Sequence, residues 1–184
     1  FPFFVRGDDV NFCLANDFAI HTLNGVVSFQ DHFIDKQSPL TWYLDLRSHM
    51  VHHLTLNHME ISAVKCANIA VWFYLRNLAK FQYESIDAIL LAWRDVMRGP
   101  DFFVDNADMA ERRTRLKEMT QQEAWKPLAE LDMSDRRRIP VHNLLSRFIF
   151  KLTLNGHLLP FFNIWANRVV ISPQDRGNFF HTWG

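Results

Sequence analysis

The segment ISAVKCANIAVWFYLRNLAKF, residues 61–81, carries apolar residues on nearly every side of a helical wheel. Val64, Ile69, Val71, Trp72, Phe73, Leu75 and Leu78 cannot all face one neighbour. A helix of this kind packs between other elements or lies at a membrane surface, and the first arrangement is expected here. Its longest unbroken apolar run, Ile69 to Leu75, lies between Asn68 and Arg76 and is far too short to span a bilayer. The chain around it must therefore supply helices to cover it.

Those helices are legible. Beyond Pro39 the periodicity is helical almost throughout. Trp42 to about His58 forms one segment and residues 61–81 a second. Ser85 to Met97 forms a third, starting near a serine and stopping at Gly99-Pro100. Residues 107–123 form a charged fourth, in which Arg112, Arg113, Arg115 and Lys117 are offset by Glu111, Glu118 and Glu123, the pattern of a solvated face. Asp105 and Asp108 fall in a loop and read as helix caps. The run Arg136-Arg137-Arg138 precedes Pro140 and an apolar segment from Leu144 to Leu159; it reads as a surface cluster able to meet anionic headgroups or phosphates. The good strand signals lie in residues 1–38, at Phe3–Val5 and at Val26–Phe29 after the Asn24-Gly25 turn, with a further strand-like run at Val169–Ile171. The fold class expected is α+β, predominantly helical. Residues 1–38 carry short strands, and residues 39–184 form a helical domain.

At 184 residues the chain has the length of one domain, and a hydrophobic share of 48% with 22% charged residues is that of a globular protein. Twenty basic side chains balance 20 acidic ones, so overall charge gives no argument for nucleic acid as a partner. Cys13 and Cys66, without metal-type spacing, read as reduced, buried thiols of a cytoplasmic protein. A chain that begins at Phe1, inside a strand-like run, reads as a fragment of a longer protein. No G-x-S-x-G and no phosphate-binding glycine loop is present, which removes the familiar serine-hydrolase and P-loop chemistries.

Two carboxylates remain conspicuous. In RGDDV, residues 6–10, a strand turns at Gly7 and presents Asp8 and Asp9 where a short helix through Val10, Phe12, Cys13 and Ala15 begins. A carboxylate there can cap the helix. Held at the end of a strand and facing a cleft, it can also take the proton from an attacking hydroxyl, as an inverting sugar transfer requires. The two roles are compatible for a pair.

Downstream pieces extend this corner into a pattern. Arg6-Gly7-Asp8-Asp9 is followed by Asn24-Gly25, then Ser28-Phe29-Gln30-Asp31-His32-Phe33, then Tyr43-Leu44-Asp45-Leu46-Arg47-Ser48. In this order the pieces resemble the bacterial family 2 glycosyltransferases, especially galactofuranosyltransferase-like enzymes. In that family a strand leads to a DD or ED pair opening a helix, an NG or PG turn leads to VWHE-x-F, and a YYDxRN-like segment begins the C-terminal helices. Motif-level detail covers residues 1–48, and RVVISPQDRGNFFHTWG at the end is similar to the tail of such proteins.

The resemblance implies that residues 1–38 are the end of a GT-A α/β core and that the remainder is its C-terminal helical region. It implies Asp9 as general base and Asp8 as its neighbour, with Arg6, Phe29 and Phe33 at the sugar site. The partners implied are a UDP-sugar donor, with galactofuranose as the sugar, and a glycan or lipid-linked acceptor of the bacterial cell envelope. The location implied is the cytoplasm, peripheral at the inner face of the membrane, with homo-oligomerisation a further expectation. A divalent cation, Mg or Mn, is implied for the full-length parent. Gln30 departs from the pattern: the family places a histidine there to help hold the metal, and a neutral amide oxygen is a poor substitute for imidazole. His32, two positions on, lies on the opposite side of a continuing strand. The family's nucleotide-binding half, with its Asp-x-Asp motif, precedes the Asp8-Asp9 corner, so this polypeptide is expected to be inactive alone.

Two other readings come from the residues themselves. One is a non-catalytic helical module for oligomerisation or membrane docking, suggested by residues 61–81. The other is a metalloprotein: His49 and His53 share a helical face, beside His52 and His58, and would need a third ligand such as Glu60 or His32.

Overall fold

The structure, a computed structural model, describes residues 12–13, 15–16, 18–19, 21, 24–25, 37–130, 144–161 and 178–180. The described chain is predominantly helical. Helix α1 spans Pro39–Thr55, α2 Ala63–Leu78, α3 Tyr83–Met97, α4 Pro100–Asp105, α5 Ala110–Met119 and α6 Leu144–Leu152. Strand β1, Trp125–Pro127, pairs antiparallel with β2, Asn178–Phe180, with Lys126 opposite Phe179.

Helix α1 runs from Pro39 to Thr55, where the sequence suggests Trp42 to about His58, so it starts and ends one turn early. Ser38 accepts the Thr41 N–H through its side chain at 3.2 Å, and Thr41 Oγ1 accepts the Ser38 N–H at 2.9 Å, a reciprocal capping box with proline in the first turn. The core-facing stripe of α1 is Trp42, Tyr43, Leu46, Arg47 and Met50, all buried. It packs chiefly on α3, whose Ala88, Ile89, Leu91, Ala92 and Val96 are buried in turn, and α5 adds Leu116. Burial of each large side chain contributes roughly 1.5–3 kcal/mol, so this α1–α3 seam is the main apolar support of the described fold.

Charged groups cross the same seam. Asp95 on α3 is fully buried and accepts the Tyr43 hydroxyl at 2.8 Å. The Arg112 guanidinium of α5 grips the same carboxylate through two nitrogens, at 2.8 and 3.1 Å. The sequence pattern assigns Arg112 to a solvated face, and here the structure corrects it. Arg112 falls in helical register with Met109, Leu116 and Met119, on the inward stripe, and Asp95 supplies the countercharge that such burial requires. Phe102 of α4 lies under this guanidinium, with the Arg112 carbon 4.9 Å from the ring centre.

Glu123 is likewise buried rather than solvated. Helix α3 lacks a side-chain cap of its own at Gln82, and Glu123 fills that role from the loop after α5. Its carboxylate accepts the N–H groups of Glu84 and Ser85 at 2.7 and 3.0 Å, and the Ser85 hydroxyl. Glu84 reciprocates by accepting the N–H groups of Gln121, Gln122 and Glu123. Orphan donors at a helix start and in a tight loop are thereby satisfied by two crossed carboxylates. Burial pushes the Glu123 carboxyl up to about 7, against the pull of its hydrogen-bond donors.

Other expectations are revised. Residues 61–81 are not enclosed. Helix α2 buries only Cys66, Ala70 and Asn77, with Ile69 and Phe73 partly covered, while Val64, Val71 and Trp72 are exposed. Its main contacts are with α1 and α3. The third helix begins at Tyr83, with Ser85 inside it. The charged fourth is shorter than its pattern and is preceded by the separate helix α4. Gly99 makes that break: its φ of +88° suits glycine, and Pro100 then opens α4. Asp108 accepts the Ala110 N–H at the start of α5, as a cap does, whereas Asp105 is the last residue of α4. Cys66 is buried as expected, but Cys13 is exposed. The β1–β2 pair was not signalled by its sequence; the strand runs at Phe3–Val5, Val26–Phe29 and Val169–Ile171 lie outside the described residues.

Replacing Asp95 with alanine removes the buried partner of Arg112 and of the Tyr43 hydroxyl, leaving Arg112, among the described residues, only the exposed Glu111 carboxylate. We expect Asp95→Ala to lower unfolding stability by about 3–5 kcal/mol in urea denaturation. A loss below 1 kcal/mol would mean that the pair is solvated in solution.

Candidate functional site

The sugar-transfer pattern begins in residues that lie outside those described: Arg6, Asp8, Asp9, Phe29, Gln30 and Phe33, together with His32. Two of its later pieces are visible. Asn24 and Gly25 form a turn, with Gly25 at a φ of +90° and open space where a Cβ would stand. Phe12, Cys13 and Ala15 are helical, in keeping with a short helix after the carboxylate corner.

The last piece, Tyr43 to Ser48, is the central part of α1. Its residues divide by helical register. Tyr43, Leu46 and Arg47 face the core, while Leu44, Asp45 and Ser48 are only partly buried. Tyr43 is held by Asp95, and burial, then the neighbouring carboxylate, push its phenol well above the ordinary range. Arg47 is buried against the Met109 sulfur and over the Phe103 ring, 5.3 Å from its centre. The tyrosine and arginine of this motif therefore serve as structural anchors that fix the start of the helical region. They are not free to act on a substrate.

The histidines lie further along α1 and come close in space. The rings of His49 and His52 are 5.4 Å apart, and those of His52 and His53 4.3 Å. His49 also packs edge-on against Phe73 of α2, and His53 Nδ1 is 2.9 Å from the Met59 carbonyl oxygen. Among the described residues no three His, Cys, Asp or Glu side chains converge as metal ligands. Burial lowers the His49 and His52 pKa values, that of His52 to about 4, with the neighbouring histidines adding repulsion. His49 and His52 therefore favour the neutral form, His49 packing against Phe73 at the α1–α2 junction.

A second aromatic–basic group stands near the α2–α3 corner. Arg76 and Lys80 both approach the Trp42 ring, at 5.4 and 5.9 Å from its centre. Burial, then the neighbouring Arg76, lowers the Lys80 pKa. The Trp42 indole N–H is buried without a hydrogen-bond partner among the described residues. Spacing alone did not reveal this group, since Trp42 lies far from Arg76 and Lys80 in the chain. The Asp95–Arg112 pair was detectable, because a charge set in an apolar stripe asks for a buried partner.

No family model matches the chain, and no curated protein or solved structure matches it.

The histidine cluster has a signed consequence for pH. A histidine whose folded pKa lies below the unfolded value of 6.5 contributes stability that is complete above that value and is lost as pH falls toward about 4. The slope of unfolding free energy between those limits should flatten in His52→Gln. An unchanged slope in that variant would show that His52 titrates normally in the folded chain.

Proposed function

We propose that the chain is the acceptor-side and C-terminal helical portion of a family 2 glycosyltransferase with a GT-A core. The observation that carries this reading is the ordered succession of the Asp8-Asp9 corner, the Asn24-Gly25 turn, the Phe29–Phe33 aromatics and the Tyr43–Ser48 segment. The rigid placement of that last segment in α1 supports it: a helix locked by Tyr43, Leu46 and Arg47 suits a wall against which an active-site loop can be set.

In this reading the residues perform an inverting displacement. A hydroxyl of the acceptor glycan attacks the anomeric carbon of a UDP-galactofuranose-like donor. Asp9 takes the hydroxyl proton as the new C–O bond forms, and the bond to the diphosphate breaks with its electron pair leaving on UDP. Asp8 orients Asp9 or the acceptor, Arg6 offsets developing negative charge, and Phe29 and Phe33 give the sugar ring apolar walls. A divalent cation does not fit the donor set of this portion well. Gln30 offers a neutral amide oxygen, and no three His, Cys, Asp or Glu side chains converge among the described residues. Metal ligation therefore belongs to the nucleotide-binding half in this account.

The test uses the full-length enzyme with a UDP-sugar donor. General-base catalysis is worth roughly 10²–10⁴-fold, so Asp9→Asn should lower kcat by about that factor with little change in donor KM. Normal turnover in that variant would remove Asp9 from the chemistry.

A further inference from the structure

Among the described helices α6, Leu144–Leu152, is strongly one-sided in apolar character, and its apolar residues are exposed. Leu144, Leu145, Phe148, Ile149 and Leu152 recur at the spacing of one helical face and are all exposed, Leu144 at 83%. Phe161, a short way beyond, is 78% exposed. An exposed apolar face of this size needs a covering partner.

The turn that follows α6 is fastened to the helical body. Asn155 donates from its side-chain amide to the Ala79 carbonyl at the α2–α3 corner. His157 stacks on Phe81, 4.9 Å between ring centres, and its Nε2 lies 3.0 Å from the Tyr83 hydroxyl. The helix is thus tethered at its C-terminal end, while its apolar residues stay exposed.

Charge identifies the occupant. The whole chain is balanced, yet from Leu131 to Arg176 seven basic residues outnumber three acidic ones, and both charged residues of α6 itself, Arg147 and Lys151, are basic. Leucine and phenylalanine on one face, with arginine and lysine in the same segment, is the composition of a helix that lies in the plane of an anionic bilayer. The apolar side chains enter the acyl boundary while the cations meet phosphate headgroups. A second copy of the chain fits less well, because joining two such faces would bring together two helices whose charged residues are all basic. No helix among the described residues is long and apolar enough to cross a membrane, so attachment by this element is peripheral.

The geometry points to α6 as a docking surface for an anionic lipid bilayer. This inference stands apart from the sugar-transfer reading, since it uses neither Asp9 nor any nucleotide. The test is co-sedimentation of the chain with phosphatidylcholine vesicles, with and without phosphatidylglycerol, at low and high salt. Partition onto phosphatidylglycerol vesicles should exceed that onto phosphatidylcholine at least tenfold and weaken as salt rises. The exposed-site double variant Phe148→Glu/Leu152→Glu should lose about tenfold or more of that partition while keeping its circular dichroism spectrum. Arg136→Gln/Arg137→Gln/Arg138→Gln, which leaves the apolar face intact, should lose the phosphatidylglycerol preference. Equal partition onto both vesicles, or binding unchanged in the Glu variant, would overturn the proposal. So would a dimer in sizing that the Glu variant abolishes, because the face would then belong to a second copy.

Discussion

The Asp95 carboxylate is the point on which the described fold depends. It is a fully buried charge on α3 that receives Tyr43 from α1 and Arg112 from α5, so one side chain joins three helices. A buried ion pair adds little net stability beside an apolar replacement, because desolvation offsets the attraction. Its consequence is directional. Directional contacts of this kind favour the observed placement of α1, α3 and α5 over shifted ones, whereas apolar surfaces alone are more tolerant of sliding. Around it the seam of Leu46, Met50, Ile89 and Leu116 supplies the larger, less selective contribution. Glu84 and Glu123 repeat the device at the other end of α3, where two carboxylates bind the helix start to the loop after α5.

Helix existence was legible because periodicity and caps report it directly. The Ser38-Pro39 start of α1 and the Gly99-Pro100 break are local signals, and the structure has both. Burial was less legible. In α2 the sequence places apolar residues all around, but covering them depends on how many neighbours the remaining chain can bring, and the described helices leave Val64, Val71 and Trp72 exposed. Arg112 and Glu123 show the converse: charged residues in a charged stretch resemble a solvated face until their register with Met109 and Leu116, or their distance from an uncapped helix start, is considered. The short β1–β2 pair joins segments remote in sequence, and three-residue strands carry almost no periodicity to detect.

The functional pattern divides along the chain. Its chemical residues, from Arg6 to Phe33, lie outside the described residues except at the turn, and its last piece is the anchoring stripe of α1. Tyr43 and Arg47 matched the motif by identity, and their role is structural: they commit the beginning of the helical region to a fixed position against α3 and α5. The basic, apolar α6 would address a different partner from a different part of the same body.

The claim that Asp95 couples separate helices is tested most directly by a double-mutant cycle between Tyr43→Phe and Arg112→Met, with stability read from urea unfolding. The two side chains belong to different helices and meet at one carboxylate. The account predicts a coupling energy of about 1–3 kcal/mol, within the range for residues sharing a hydrogen-bonded ion pair. Additive effects within about 0.3 kcal/mol would contradict it and leave the helices held by apolar packing alone.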